Sequence, residues 1–472
     1  MNAETRARLS RVACGESPRV LDLFAGAGGL SLGFQRAGFN IGGAVEIDPL
    51  AAQTHALNFH PDDPVRHAIP RDITRTEPDE LGQDAVDVLV GGPPCQAYAR
   101  VGRAKLREVA DHPAAFKVDP RGNLYLRYLA WVKALRPLSL LVENVPDILH
   151  YGHHNVVEEM VEALDDLGYV ARYSLINSAF HGCPQMRDRV FLIAFRKELG
   201  VMPRFPRATR FMHLPRGYAG TRAVALKHVD RSGGAGFLDA DPGDESLPGP
   251  VTARQAIGDL PPILGESVKR GARRFSELSR YAAPDDFSPY TMLMRRWPGF
   301  MAGEGVNDHV IRALPRDVPI FRAMRPGAEY PEAYRTACDL AAREAARLEL
   351  AEGSLARAAL FARMVPPYDV GKFPNRWWKL EPDQPVRTLM AHIGKDTYSH
   401  IHWDPAQART ISVREAARLQ GFPDGFRFAG TMNPAFRQIG NAVAPLMAAA
   451  IAEVMLDTLR DAAARLIPPM AA

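Results

Sequence analysis

Three short stretches carry side chains that could attack or polarise a bound substrate. In GGPPCQAYAR (91–100), Cys95 follows an apolar run and a Pro-Pro pair, in a turn beside polar residues. A thiol so placed suits a nucleophile, but an unassisted thiol has a pKa of ~8.5 and needs a helix N-terminus or nearby arginines to become thiolate. The bland reading is a buried, inert core cysteine. In VENVP (142–146), Glu143 closes a second apolar run, either as a working acid or as an ordinary surface carboxylate. In QMRDRVFLIAF (185–195), Gln185, Arg187 and Arg189 alternate, so an entering strand would place them on one face. Solvated charges at a strand start would look the same.

A fourth stretch points to a cofactor. In DLFAGAGGLSLGF (22–34), Gly26, Gly28 and Gly29 follow a predicted strand and open a predicted helix. Glycines there allow a tight turn and close approach of backbone to ligand, although many α/β folds keep them for packing alone. Glu46 ends the next strand, 20 residues after Gly26, the usual place for an acid that bonds ribose hydroxyls. Asp72, expected after a further strand, could read an adenine amino group. These residues describe a nucleoside cofactor, with a nicotinamide dinucleotide and S-adenosylmethionine both open, although GxGG is not the GxGxxG dinucleotide fingerprint.

The elements that must position these groups alternate. VLDLF (20–24), IGGAVEI (41–47), VDVLVGG (86–92), LSLLVENV (138–145) and RVFLIAF (189–195) read as strands, and amphipathic stretches between them read as helices. That pattern predicts an α/β fold with a doubly wound, mostly parallel sheet, whose ligands sit at the carboxyl ends of the strands. The pattern breaks after Leu199, where Pro, Gly and Arg become frequent; one or two helices over 339–364 and a long apolar helix over roughly 441–466 follow.

With 472 residues, two or three domains are expected. The net charge of +4 is uneven, because 201–380 hold 27 Lys and Arg against 20 Asp and Glu. Within 204–231, Arg204, Arg207, Arg210, Arg216, Arg222, Lys227 and Arg231 face the single acid Asp230. Such a segment is either a polyanion footprint or a solvated Arg-rich loop. The four cysteines form no CxxC pair, which argues against a zinc knuckle or disulfide framework, and no metal is expected. The N-terminus lacks an apolar signal core, and no run approaches ~18 uninterrupted apolar residues. The expectation is a soluble, cytoplasmic protein with no membrane partner.

Six blocks in order, DLFAGAGGLSLGF, GGPPCQ, VENVP, QMRDR, REAARLQGFPD and QIGNAVAP, resemble the cytosine-C5 DNA methyltransferase family of bacterial restriction–modification type. The resemblance implies a methyltransferase-type sheet with an inserted, smaller DNA-recognition domain: 17–199 as the first catalytic part, 200–385 as the target-recognition domain, and 386–472 as the return. It implies S-adenosyl-L-methionine as cofactor, held by Phe24, Gly26, Gly28, Glu46, Ile47, Asp72, Ile73, Pro94, Asn441 and Val443. Cys95 matches the nucleophile, and Glu143 the acid that holds the base. Arg189 matches a residue near the base oxygen, and Arg187 and Gln185 belong to the same network. Arg100, Arg103 and Lys105 would lie on a loop closing over a flipped base, and Thr388 ends the insert. Arg204, Arg207 and Arg210 are further candidate DNA contacts. Ala97-Tyr98-Ala99 depart from the Phe and Ser frequent after the nucleophile.

Double-stranded DNA is the implied partner, for a monomer at the bacterial nucleoid, either paired with a separately acting restriction endonuclease or orphan. An RNA cytosine methyltransferase on the same scaffold is disfavoured by the long insert and the absence of a CFT sequence. A catalytically silent DNA-binding protein is disfavoured by the intact Cys95, Glu143, Gln185, Arg187 and Arg189.

Overall fold

The computed structural model describes residues 1–81, 86–94, 124–150, 155–231, 236–267, 277–281, 287–394 and 398–467. The chain divides into two compact units, one of residues 1–250 and 442–472 and one of residues 251–441. These divisions lie well away from the 199/200 and 385/386 boundaries expected from sequence. Residues 200–250 fold with the first unit because they are tied into it. Tyr173 donates its backbone N–H to Gly236 and accepts from Leu238, and Thr209 donates to Phe180.

The first unit is built on six strands: β1 (Arg19–Leu23), β2 (Asn40–Val45), β3 (Val88–Gly91), β4 (Ser139–Asn144), β5 (Tyr169–Asn177) and β6 (Asp188–Arg196). Their order is β2-β1-β3-β4-β6-β5. β1 to β4 run parallel, and β6 runs antiparallel to both its neighbours. β3 is buried at every position, the mark of a central strand covered on both faces. The core joins Leu21, Leu23, Leu89, Leu140 and Val142 of the sheet to Tyr128 and Trp131 of the helix Leu124–Leu135. Tyr128 donates its hydroxyl to the carbonyls of Leu89 and Leu141, so its polar end is satisfied inside the apolar layer.

Four helices flank the first strands: α1 (Ala3–Ala13), α2 (Gly29–Ala37), α3 (Pro49–Phe59) and α4 (Pro64–His67). α1 has no counterpart in the sequence reading. Asp48 caps α3 by accepting from the N–H groups of Leu50 and Ala51, and Pro49 takes the first helical position. The expected strand before Asp72 is absent among the described residues. The chain instead leaves α4 and passes the end of β2, where Arg71 donates its N–H to the Glu46 carbonyl at 2.7 Å. The stretch 432–466 includes an 18-residue window of mean hydropathy 1.7, long and apolar enough to cross a membrane, and 78% of that window is buried. Its helix Pro445–Leu466 packs on α2 and α1.

In the 251–441 unit, Val318, Phe321, Tyr330, Ala333, Ala337, Trp377, Tyr398 and Ile401 form the core. Two helices cover the stretch where one or two were expected, Tyr330–Arg347 and Leu355–Met364, the first starting nine residues before 339. The REAARLQGFPD block is a buried ionic hub. Arg409 grips Glu415 with two bonds of 2.6 and 2.7 Å, Arg414 meets Asp308, and Arg418 spans Asp259 and Asp424. Glu415 also closes a capping box with Ser412 at the start of the helix Val413–Gln420.

Candidate active site

The chain leaves β1 for β2 on one side of the sheet and later enters β3 on the other. Strand order therefore reverses between β1 and β3, which opens a crevice at their carboxyl ends. The first wall of this crevice is the turn after β1. Backbone φ is positive at Phe24, Gly26 and Gly28. A side chain at Gly26 would meet nothing within 4 Å, so the space above the turn is open. Gly28 has a different reason to be glycine, because a Cβ there would stand 2.4 Å from Phe59 on α3.

Glu46 ties two loops together. Its carboxylate accepts from the N–H of Gly26 and from the N–H of Asp48, each at 2.7 Å. Burial raises its pKa, against the backbone donors of Asp48, Gly26 and Ile47 that lower it. Each oxygen retains a lone pair for a further donor such as a ribose hydroxyl. Ile47, next in the chain, is 64% exposed and offers an apolar face beside that acid. Asp72 lies in a turn where its Oδ1 accepts from the N–H and hydroxyl of Thr74, and Ile73 is buried in the main core. Val443 is also buried, with its carbonyl over Gly29, where a Cβ would approach to 2.3 Å. Asn441 ends the helix Met432–Asn441 in the other unit.

The second wall forms at the ends of β3 and β4. Because β6 is antiparallel to β4, its first residues lie beside the last residues of β4, with Asn144 opposite Val190. That register brings Arg189 to Glu143, Nε to Oε1 at 2.9 Å. Gly92 lets β3 come close, since a Cβ there would stand 2.9 Å from Glu143 Oε2. Burial raises the Glu143 pKa, and Arg189 and Arg187 counter it. Arg187 is fully buried, and burial together with Arg189 draws its pKa down to about 9. Gln185 is buried, and its carbonyl accepts from the Ser178 hydroxyl. The solvated-charge reading of Gln185 and Arg187 thus fails, although β6 begins only at Asp188.

Pro94 is exposed at the end of this edge, and Cys95 follows it in the chain but lies outside the described residues, as do Arg100, Arg103 and Lys105. Among the basic candidates further on, Arg204 pairs with Asp461 at 3.3 Å and Arg207 with Asp241 at 2.9 Å. Arg210 donates to the Gly249 carbonyl at 2.8 Å. Thr388 is half-buried in the 251–441 unit.

Residues 18–224 and 366–457 match the C-5 cytosine-specific DNA methylase family. M.OihORF3336P of Oceanobacillus iheyensis is 37% identical to this chain, covering 94% of this chain and 96% of its own length. The type II methyltransferase M.AgeI of Thalassovita gelatinovora is 30% identical, covering 93% and 99%. A prophage-encoded protein of E. coli has the same fold, with a TM-score of 0.58 at 22% identity over 94% of this chain and 99% of its own.

The chain belongs to the C-5 cytosine-specific DNA methylase family. It is a DNA (cytosine-5-)-methyltransferase with a DNA substrate and S-adenosyl-L-methionine as methyl donor.

Two features of this methyltransferase escaped the sequence reading. Asn144 donates its amide to the Pro93 carbonyl at 2.9 Å, and its own oxygen accepts from the Val145 N–H. It therefore anchors the turn that leads to Cys95. Beneath the glycine turn, the Ser31 hydroxyl donates to Asp22 at 2.7 Å and stands 2.9 Å from His55 Nε2. With its only proton on Asp22, Ser31 accepts from a neutral His55. Burial raises the Asp22 pKa to about 7 and lowers that of His55 to about 3. The residue types were visible in the sequence, but no spacing rule joins a strand, the next helix and the one after it.

Proposed function

We propose that this methyltransferase modifies cytosine within a short duplex sequence, with Cys95 as nucleophile and the β4–β6 edge as the site that holds the base. The Glu143–Arg189 pair, set against Gly92, which precedes Cys95 by three residues in the chain, carries the reading.

The crevice fits the cofactor. The open space above Gly26, the acceptors of Glu46 and the exposed Ile47 suit a small pocket floor, a ribose diol and an adenine face. S-adenosyl-L-methionine supplies a methyl group on a sulfonium, ready for attack by a carbon nucleophile. Phe24, Asp72, Ile73, Pro94, Asn441 and Val443 complete its contacts in this proposal.

Cytosine C5 is too electron-poor to take that methyl unaided. The Cys95 thiolate adds to C6, forming an S–C6 bond and moving the C5–C6 electron pair toward C5 and the N3–O2 side of the ring. Glu143, whose raised pKa favours keeping a proton, holds N3 and the exocyclic amine, and Arg189 faces O2. Arg187 and Gln185, both buried, hold that pair in place. C5 then takes the methyl as its bond to the sulfonium sulfur breaks, leaving S-adenosyl-L-homocysteine, and loss of the C5 proton to a base expels the thiolate and restores the ring.

A base inside a duplex must be flipped out before this chemistry, at about a few kcal/mol. Arg100, Arg103, Lys105 and Thr388 are assigned to the DNA backbone. Arg204, Arg207 and Arg210, with partners inside their own unit, take a smaller share. The enzyme acts as a monomer in the cytoplasm at the nucleoid, as the modification partner of a separate endonuclease or alone.

Expression in a host without cytosine methylation, followed by mapping of C5-methylcytosine in total DNA and RNA, tests the reading. Marks at one short DNA motif are expected. Marks confined to transfer RNA, or no marks at all, would overturn it.

A further inference from the structure

In the 251–441 unit, one exposed turn departs from ordinary folding economy. Residues 371–375, Gly-Lys-Phe-Pro-Asn, are all exposed. At their centre Phe373 is 68% exposed and has a φ of +57°. Left-handed backbone is costly for a bulky residue, and an exposed phenyl gains nothing from burial. Either feature alone would be common enough; together they mark a side chain held outward at a cost.

The base of the turn is rigid. Asp369 accepts from the Gly371 N–H at 2.8 Å through its side chain, and its carbonyl accepts from Lys372. The Phe373 carbonyl accepts from the Arg376 N–H, closing a short 3-10 turn over Pro374–Arg376. The Arg376 guanidinium sits 4.0 Å from the centre of the Tyr368 ring. Tyr368 accepts from the buried Tyr330 hydroxyl at 2.9 Å, and Trp377 and Trp378 follow inside the unit. The turn is thus mounted on the unit's own core, with residues 371–375 left in water.

We propose that this turn is a DNA-contact element, in which Phe373 packs on the bases or sugars of the substrate duplex and Lys372 meets a flanking phosphate. The inference rests on the DNA substrate of the proposed function and deepens it. The charge is suitable: residues 251–441 hold 27 Lys and Arg against 21 Asp and Glu, and the remainder of the chain is net negative. Asp369, the one acid in the turn, is occupied by the turn's own backbone. Apolar wedges and aromatic platforms are general means of gripping nucleic acid independently of hydrogen-bond readout.

The test uses the full-length protein and a short duplex carrying the motif mapped by methylation. Phe373→Ala should weaken duplex affinity about tenfold, and Phe373→Trp should hold it within about twofold. Lys372→Gln should lower the slope of log affinity against log salt by about one. Binding of S-adenosyl-L-methionine should be the same in all three. Phe373→Ala binding and methylating like the wild type would overturn the inference while leaving the methyltransferase reading intact. So would an unchanged affinity accompanied by loss of a dimer in sedimentation, which would make a second copy the occupant. A wild-type protein that marks no DNA would instead defeat the underlying reading.

Discussion

At the sheet edge of the first unit, burial lifts Asp22, Glu46, Glu143 and Asp188 above the ordinary carboxylate range and draws Arg187 below that of arginine. In the 251–441 unit the outcome is opposite for the same residue types. Against burial, Arg409 pulls Glu415 down, Arg418 pulls Asp424 down, and Asp424 and Asp259 hold Arg418 firmly charged. Asp308 is an exception, raised by burial to about 6 although Arg414 lies 3.3 Å away. The difference lies in how completely partners replace water. The Arg409 and Arg418 pairs make several bonds each and close on themselves, as a structural network must. At the sheet edge the partners do not offset the lost hydration, and Asp22 Oδ1 is unbonded among the described residues. Such groups are poised to exchange protons or accept a ligand's donors.

Breaking the closed network should give the largest effect. Arg418→Met removes the charge partner of the buried Asp424 and leaves Asp259 with Arg295 alone, and should cost about 3–5 kcal/mol in urea unfolding, with partial recovery when both acids become Asn. A cost below about 1 kcal/mol would remove the structural role. At the open edge, Glu143→Gln should slow single-turnover methylation by about 10²–10³-fold, with no loss of folding stability. An equal loss of stability and rate would make Glu143 a packing residue.

The pH response should differ between the units. Asp22 keeps its proton in the folded state up to about pH 7 and loses it in the unfolded state near 4. Its contribution therefore favours folding at low pH and is lost as pH rises through 7, about 2 kcal/mol between pH 5 and 7. Asp22→Asn should flatten that slope in a thermal-unfolding series. Glu415 has the opposite sign, since its stabilisation is present above the unfolded carboxylate pKa and is lost only in strong acid. The smallest effect should come from replacing Arg204, Arg207 and Arg210 together with Gln. Because Asp461, Asp241 and Gly249 already engage them, the salt slope of DNA binding should change by less than one.

Much of the sheet edge was legible because its residues sit at strand ends, where apolar runs stop and polar ones begin. Glu46, Glu143 and the glycine turn were readable for that reason. The position of Arg189 beside Glu143 was not, because it depends on β6 running antiparallel, which no local pattern reveals. Asp72 was placed after a strand that the described residues lack; its loop is held at the end of β2 by the Arg71–Glu46 backbone bond, which no local pattern reveals. REAARLQGFPD was visible as a block, but its role as an ionic hub depends on Asp259 and Asp308, more than 100 residues earlier. The basic run 204–231 resembled a DNA footprint, yet Arg222 within it clamps Asp188 at the start of β6 and the Leu175 carbonyl on β5.

The central claim is covalent catalysis by Cys95 at the edge organised by Glu143 and Arg189. A duplex with 5-fluorocytosine at the mapped target tests it most directly, because fluorine at C5 cannot leave as the proton does. With S-adenosyl-L-methionine present, the wild type should form a denaturant-resistant protein–DNA adduct, Glu143→Gln should form it slowly, and Cys95→Ser should form none. An adduct in Cys95→Ser, or normal methylation by that variant, would contradict the account.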